Sequence, residues 1–272
     1  LARFGYRVAS YSCIGKDEIG RYVLDAFRAE GVATEFLTEY SDAKTDLSSI
    51  IVMTQNGERT IFHNRDANER LVVRKESLKR ADWLFVSALN GEWRKNVDTI
   101  LEAKTAYGMQ LALNPGQHNI KEDAEKMLTL LPSVDVLLLN KDEAIELLQS
   151  AGSVTNDELN DEWYLMRKLS EHGAKIIGIT DGKRGAWGYN GQEFWYCPIH
   201  TRNGVVDSTG AGDAFGSGFM AAHLSGKSLD QSLSAGMANS GSVVGFYGAI
   251  EGLLHEQDMT ELLPLITPER LR

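Results

Sequence analysis

Short apolar runs alternate with helical segments from residue 83 to residue 180 of this chain. The runs stand at residues 83–86, 110–113, 134–139 and 175–180. Segments with helical periodicity lie between or beside them, at residues 93–108, 124–131, 142–148 and 159–171. Strands without a polar face are typical of a parallel sheet that helices cover on both sides. The pattern therefore predicts an α/β fold of three layers, with a mostly parallel central sheet between two layers of helices.

The chain before this alternation has a different rhythm. We predict a strand at residues 6–11 and a helix at residues 18–30. From residue 33 to residue 65 no helix fits, and the pattern indicates short strands near 35–37, 48–53 and 60–63 with a hairpin turn at 55–58. The predicted units are an α/β core, residues 1–32 and 66–272, and a small β-rich lid, residues 33–65.

Composition disfavours several classes of partner. The 272 residues carry a formal net charge of -10, which disfavours binding to nucleic acid or to an anionic membrane. No apolar run is long enough for a transmembrane helix, and we find no signal-peptide pattern. Two cysteines, Cys13 and Cys197, provide no disulfide framework. We expect a cytoplasmic protein that binds neither nucleic acid nor membranes.

Polar residues follow the predicted strands, where ligands of parallel α/β sheets bind. Asn140 and Glu143 lie three apart at a helix start and fit two interpretations. They can hold a hydrated Mg²⁺ through water, or they can form a helix capping box. Thr180, taken with Gly182, is by itself typical of a plain turn. The sequence leaves these alternatives open.

The stretch DSTGAGD at residues 207–213 is the most informative motif. Two valines before it predict the end of a strand, its glycines a tight turn, and residues 214–224 a helix. The N–H groups of Ala211, Gly212 and Asp213 would then point outward at the positive end of the helix dipole, which suits an anion. A carboxylate there repels the anion unless it accepts a proton, so Asp213 is our candidate base. The glycine spacing is one residue too long for a dinucleotide-binding turn.

A last predicted helix, residues 229–244, is rich in small residues around Asn239. Small side chains allow close approach of another helix or of a flat ligand, and the sequence does not choose between the two.

Together these residues resemble the ribokinase-like (PfkB) family of carbohydrate kinases. The stretch 207–213, followed by SGFM at 217–220, matches the family's C-terminal signature throughout. The supporting matches are Asn140 with Glu143, Thr180 with Gly182 and Gly185, residues 57–59, Ala67 with Asn68, Ala238 with Asn239, Gly248 with Ala249, and the two glycines Gly5 and Gly15. The resemblance covers essentially the whole chain. Family members also carry a strand with a sugar-binding Asp and a Gly-Gly segment, which would precede Leu1, so we expect the sequence to be a truncated record.

The resemblance implies an ATP-dependent kinase of the ribokinase, fructokinase or keto-deoxy sugar acid type. It implies that Asp213 accepts the proton of a sugar hydroxyl and that residues 210–213, with Gly210, Ala211 and Gly212, form an anion hole for the transferring group. The implied cofactors are ATP, Mg²⁺ near Asn140 and Glu143, and a monovalent cation such as K⁺ near Asp207. The implied cofactor-binding residues are Asn140, Thr180, Gly182, Gly185, Asp207, Thr209 and Asn239.

Three alternatives accompany this reading. A nucleoside kinase and a sugar-phosphate kinase belong to the same family, and Arg59, Arg65 and Arg94 are candidate contacts for a sugar phosphate. A relative that binds a sugar or nucleotide without catalysis is the third. The resemblance further implies that the lid closes over the sugar. Exposed lid strands often pair between subunits in such folds, so a homodimer through the lid is one option for an oligomeric state that the sequence leaves open.

Overall fold

The computed structural model describes residues 1–52, 59–152, 154–202 and 204–272. The strands over these residues are β1 (Cys13–Gly15), β2 (Thr38–Tyr40), β3 (Leu47–Val52), β4 (Arg59–Asn64), β5 (Trp83–Val86), β6 (Gln110–Leu113), β7 (Val136–Asn140), β8 (Ile176–Thr180), β9 (Ala186–Tyr189), β10 (Phe194–Cys197) and β11 (Glu269–Arg270). The α-helices are α1 (Glu18–Ala29), α2 (Trp93–Tyr107), α3 (Gln117–Leu130), α4 (Lys141–Ser150), α5 (Glu162–Glu171), α6 (Ala211–Leu224), α7 (Leu229–Val243) and α8 (Glu256–Leu262).

The central sheet of the described chain contains β5 to β11, adjacent in chain order. Strands β5 to β8 are parallel, whereas β9, β10 and β11 add antiparallel pairs at one edge. The predicted α/β fold with its parallel strands is confirmed. The prediction omitted the antiparallel strands at this edge. It relied on strands that alternate with helices, whereas β9 and β10 are joined by a short loop with no helix between them.

Alternate residues of each central strand pack into two separate cores. In β7, Leu137 and Leu139 contact the core formed with α2 to α5, while Val136 and Leu138 contact the core formed with α6 to α8. All four side chains are buried. Because successive side chains of a strand point to opposite faces, helices must cover both faces to bury them. The three predicted layers are therefore present.

Several predicted boundaries differ in the structure. The predicted strand at residues 6–11 is wrong, since only one isolated bridge joins Ala9 to Ala33 there, and the first strand is β1, which pairs in parallel with β2. Helix α3 begins at Gln117 and is interrupted by the non-helical backbone of Asp123, so the prediction found only its second half. The predicted strand end at Val205 and Val206 is also wrong, because both lie in irregular backbone.

Strands β3 and β4 form an antiparallel hairpin in which Leu47 lies opposite Asn64. Its base is anchored by Asp46, whose carboxylate accepts hydrogen bonds from the backbone N–H of Asp66 at 2.9 Å and from the side chain of Asn68 at 3.2 Å. The hairpin turn predicted at residues 55–58 lies outside the described residues. The division into core and lid remains a prediction. None of the helices in the described ranges combines the length and apolarity needed to span a bilayer.

Candidate active site

Helix α6 begins at Ala211, three residues before its predicted start. Gly210 caps it in the left-handed region at φ 77°, and a Cβ on Gly210 would lie 2.7 Å from the Cβ of Ala249. Both the backbone angle and the close contact require glycine. The Ala211 N–H donates to the Ser208 carbonyl at 3.3 Å, and the Ala214 N–H donates to the Gly210 carbonyl at 2.8 Å. Between them, the N–H groups of Gly212 and Asp213 have no acceptor within the helix.

The Asp213 carboxylate stands in the first turn of α6 beside those N–H groups. It is exposed on one side, yet the surrounding protein removes part of its hydration, and this desolvation raises the pKa of Asp213. No group of the described residues donates a hydrogen bond to it. An unpaired carboxylate with a raised pKa is the state that general-base catalysis needs.

Asn140 and Glu143 form a reciprocal capping box at the start of α4. The Asn140 side chain accepts a hydrogen bond from the Glu143 N–H at 2.8 Å, and Glu143 accepts one from the Asn140 N–H at 2.9 Å. The structure therefore contains the helix capping box, one of the two interpretations that the sequence left open. Burial first, and then nearby carboxylates including Asp213, raise the pKa of Glu143. The two carboxylates thus lie close enough for the charge of Asp213 to disfavour ionisation of Glu143.

This pair of carboxylates suits a hard cation, because a bound positive charge would relieve the repulsion that Glu143 experiences from Asp213. Carboxylate and amide oxygens are the donors that Mg²⁺ takes, usually together with several waters. The described residues contain no cluster of three or more His, Cys, Asp or Glu side chains that could hold a metal. The donor set therefore fits an ion bound through water and not an ion enclosed by protein ligands.

The sheet register places Asn140 beside Thr180. These residues pair at the carboxyl ends of β7 and β8, and Thr180 pairs in turn with Ala186. The turn between Thr180 and Ala186 contains Gly182, where an added Cβ would meet nothing within 4 Å. It also contains Gly185, where a Cβ would lie 2.3 Å from the Cys197 carbonyl oxygen. The predicted residues after the two strands are thereby brought together at one edge of the sheet.

Asp207 and Thr209 shape the loop before α6. One carboxylate oxygen of Asp207 accepts hydrogen bonds from the N–H and the hydroxyl of Thr209, at 2.9 and 2.8 Å. The other accepts one from the Gly248 N–H at 3.0 Å. Asp207 consequently ties the Gly210 turn to the segment after α7.

Asn239 is fully buried between α6 and α7. Its amide nitrogen donates to the Ala214 carbonyl at 2.8 Å and to the Ser217 hydroxyl at 3.1 Å, and its oxygen accepts from the Leu254 N–H at 2.9 Å. Contact with a ligand would require Asn239 to give up these bonds, so the structure does not place it with the other site residues.

The small residues of α7 are explained by helix packing. A Cβ on Gly218 of α6 would lie 2.5 Å from the Ala235 carbonyl oxygen, and one on Gly241 would overlap the His200 carbonyl oxygen at 1.6 Å. Of the two interpretations that the sequence left open, these contacts favour close approach of protein elements.

One group of residues at this edge was missed by sequence reasoning. They are Lys141, Glu162, Asp181 and Arg184, which form an ion cluster although they come from three separate parts of the chain and follow no motif. The signals in the sequence were Lys141 directly after Asn140 and Asp181 directly after Thr180. Arg94, by contrast, pairs with Glu122 and Asp123 at 2.7 Å each on the surface.

Comparison with known proteins gives a consistent result. A family model described as pfkB family carbohydrate kinase matches residues 1–256. A protein of Archaeoglobus fulgidus described as an uncharacterized sugar kinase is 27% identical over 264 residues, which are 95% of this chain and 99% of that protein. A ribokinase of Haemophilus influenzae is 29% identical over 277 residues, covering 96% of this chain and 83% of the ribokinase. The solved structure of a ribokinase from Cryptococcus neoformans var. grubii serotype A in complex with ADP matches with a TM-score of 0.79 at 27% identity, covering 96% of this chain and 84% of that one.

Proposed function

This chain belongs to the pfkB family of carbohydrate kinases, whose members are phosphotransferases that act on a hydroxyl group, and we propose that it transfers the γ-phosphoryl group of ATP to a sugar hydroxyl. The observation that carries the proposal is the Asp213 carboxylate, to which no described residue donates a hydrogen bond, beside the N–H groups of Gly212 and Asp213, which have no acceptor within helix α6. A base and an anion site in contact are what attack of a hydroxyl on a phosphoryl group requires.

Asp213 accepts the hydroxyl proton as the sugar oxygen attacks phosphorus. Its raised pKa makes it a stronger base than an ordinary carboxylate. The N–H groups of Gly212 and Asp213 stabilise the charge on the transferring group, and Gly210 with Ala211 gives the turn its shape. Phosphoryl transfer depends mainly on such positioning and electrostatic stabilisation.

The nucleotide phosphates lie along the turn from Thr180 to Gly185, at the carboxyl end of β8. The ribokinase complex with ADP supports a nucleotide in this fold. Asn140 and Glu143 hold Mg²⁺ through water, and that ion, when bound, offsets the charge of the phosphate oxygens. A monovalent cation beside Asp207 stays a prediction of the family resemblance. Asn239 acts by fixing α7 against α6, and not by contact with the adenine.

The acceptor is a sugar, as the names of the Archaeoglobus and Haemophilus relatives suggest. A sugar-phosphate acceptor is less well supported, because Arg94 is engaged by Glu122 and Asp123. The β3–β4 hairpin serves as the lid. Ile51 and Phe62 are 59% and 58% exposed on one face of it, which supports pairing of two chains through this hairpin.

Turnover assays over a panel of acceptors test the proposal. ATP consumption is measured with pentoses, hexoses, keto-deoxy sugar acids, nucleosides and sugar phosphates, each with and without Mg²⁺. We expect consumption with at least one unphosphorylated sugar and only with Mg²⁺. ADP binding without turnover of any acceptor would refute the kinase and support a non-catalytic binding protein.

A further inference from the structure

A cluster of four charged side chains lies beside the proposed nucleotide turn. The Lys141 ammonium is 2.7 Å from a carboxylate oxygen of Glu162 and 3.9 Å from one of Asp181. The Arg184 guanidinium contacts the same Glu162 oxygen at 2.8 Å and also pairs with Asp181. Two positive and two negative charges alternate, so the cluster is neutral and each charge has a partner of opposite sign.

The cluster joins three elements that approach the site from different parts of the chain. Lys141 is the first residue of α4, Glu162 is the first residue of α5, and Asp181 and Arg184 belong to the turn between β8 and β9. Lys141 directly follows Asn140, and Asp181 directly follows Thr180. The ion pairs therefore link the capping box at α4 to the turn that receives the phosphates.

Lys141 is the buried member of this link. The residue is 6% exposed, and its ammonium also donates to the Asn160 carbonyl at 3.4 Å. The turn itself contains Gly182 and Gly185, which have no side chains to anchor it. Its ties to α4 and α5 run through Asp181 and Arg184. A buried ammonium is costly to desolvate, and an apolar replacement of a buried ion pair is often as stable.

We propose that Lys141 is a positioning residue for nucleotide binding. Through its ion pairs with Asp181 and Glu162, Lys141 holds the turn between β8 and β9 in place beside Asn140. This inference rests on the proposed function, because it assumes that the turn receives the nucleotide phosphates. Lys141 touches no substrate. It acts by keeping Thr180 and Gly182 in register with the metal-holding end of α4.

A second ion cluster of the same sheet provides the matched control. Asp135 directly precedes β7, as Lys141 directly follows it, and Asp135 pairs with Lys104 and with Lys175. That cluster lies at the amino end of β7, away from the proposed site. A purely stabilising role would make Lys141 and Lys104 equivalent, whereas a positioning role would not.

The experiment compares Lys141→Met with Lys104→Met in the full chain. We measure the Kd of ADP by titration calorimetry, the KM of ATP and of the sugar, kcat, and thermal unfolding. A displacement of about 1 Å can cost roughly 10²-fold in rate, and we expect a rise of about tenfold in the Kd of ADP and the KM of ATP for Lys141→Met. The KM of the sugar should stay unchanged, and Lys104→Met should alter neither nucleotide constant.

The double variant Lys141→Met/Glu162→Gln separates positioning from stability. It removes one charge of each sign and leaves Arg184 paired with Asp181, so thermal stability should recover relative to Lys141→Met. The nucleotide constants should stay raised, because the tie from α4 to the turn is still missing. If the single variant does not fold, the double variant carries the test.

The outcomes distinguish this inference from the function on which it rests. An unchanged Kd of ADP in a folded Lys141 variant, or an equal loss in Lys104→Met, overturns the positioning role alone. A wild-type chain that binds no ADP refutes the proposed function together with this inference. A wild-type chain that binds ADP but phosphorylates no acceptor refutes only the kinase, and the ADP measurements still decide the role of Lys141.

Discussion

Replacing Asp213 by Asn should slow phosphoryl transfer by orders of magnitude and leave nucleotide binding intact. Asn has nearly the same shape as Asp, so the first turn of α6 and the N–H groups of Gly212 and Asp213 should keep their geometry. Only the ability to accept a proton is lost. A positioned general base contributes about 10² to 10⁴-fold to the rate, which corresponds to about 3–5 kcal/mol of transition-state stabilisation. We expect kcat to decrease by about 10² to 10⁴-fold and the Kd of ADP to change by less than about twofold.

The pH dependence of the same variant follows from the raised pKa of Asp213. The wild-type kcat/KM should rise with pH as Asp213 loses its proton, and in the variant this limb should disappear. The ionised carboxylate is disfavoured in the folded state, so the charge lowers stability once the pH exceeds the unfolded pKa of about 3.9. Asp213→Asn should therefore be at least as stable as the wild type at neutral pH.

Asp230→Asn is the matched control for this measurement. Asp230 also lies in the first turn of a helix, at the start of α7. The 14 residues of α6 separate the two helix starts by about 21 Å. Asp230→Asn should retain full turnover. Near wild-type kcat in Asp213→Asn would refute the assignment of the base, and loss of ADP binding would refute the claim that its role is proton transfer alone.

Three further predictions concern backbone, charge and thiol chemistry. Gly210→Ala should lower stability by about 1–2 kcal/mol because of the left-handed backbone, plus the cost of the close contact with Ala249. Gly226→Ala is the control, because Gly226 has φ 76° and an added Cβ would meet nothing within 4 Å. It should show the backbone cost alone in denaturant titrations. The hydrogen bonds that Asp17 accepts from the backbone of Gly20 and of Thr45 lower the pKa of Asp17 to about 2. The ionised Asp17 should therefore stabilise the fold fully above its unfolded pKa, and this stabilisation should be lost as the pH falls towards 2. Asp17→Asn should flatten the acid limb of thermal unfolding, and an unchanged limb would contradict the prediction. Burial raises the pKa of Cys197 to about 12, so thiol reagents should modify it at neutral pH only after denaturation.

Local periodicity explains why so much of the fold was predictable. Strands β5 to β8 and helices α1 and α2 each carry an apolar pattern that is complete within a few residues, and such a pattern depends on no distant partner. The motif at residues 207–213 was equally readable, because a turn followed by a helix N-terminus is a local structure. The failures lie where pairing is decided at a distance: residues 6–11 meet a partner only at Ala33, and Val205 and Val206 find none within the sheet.

The α/β class, the family and the candidate base Asp213 can be inferred from the amino-acid sequence, since they rest on short patterns and on side-chain chemistry. Tertiary packing sets how the distant elements meet. It placed Asn140 beside Thr180 through strand register, enclosed Asn239 between two helices, and assembled the Lys141 cluster. Register, burial and ion pairing join residues far apart in the chain, and they exist only once hydrophobic packing has brought those elements together.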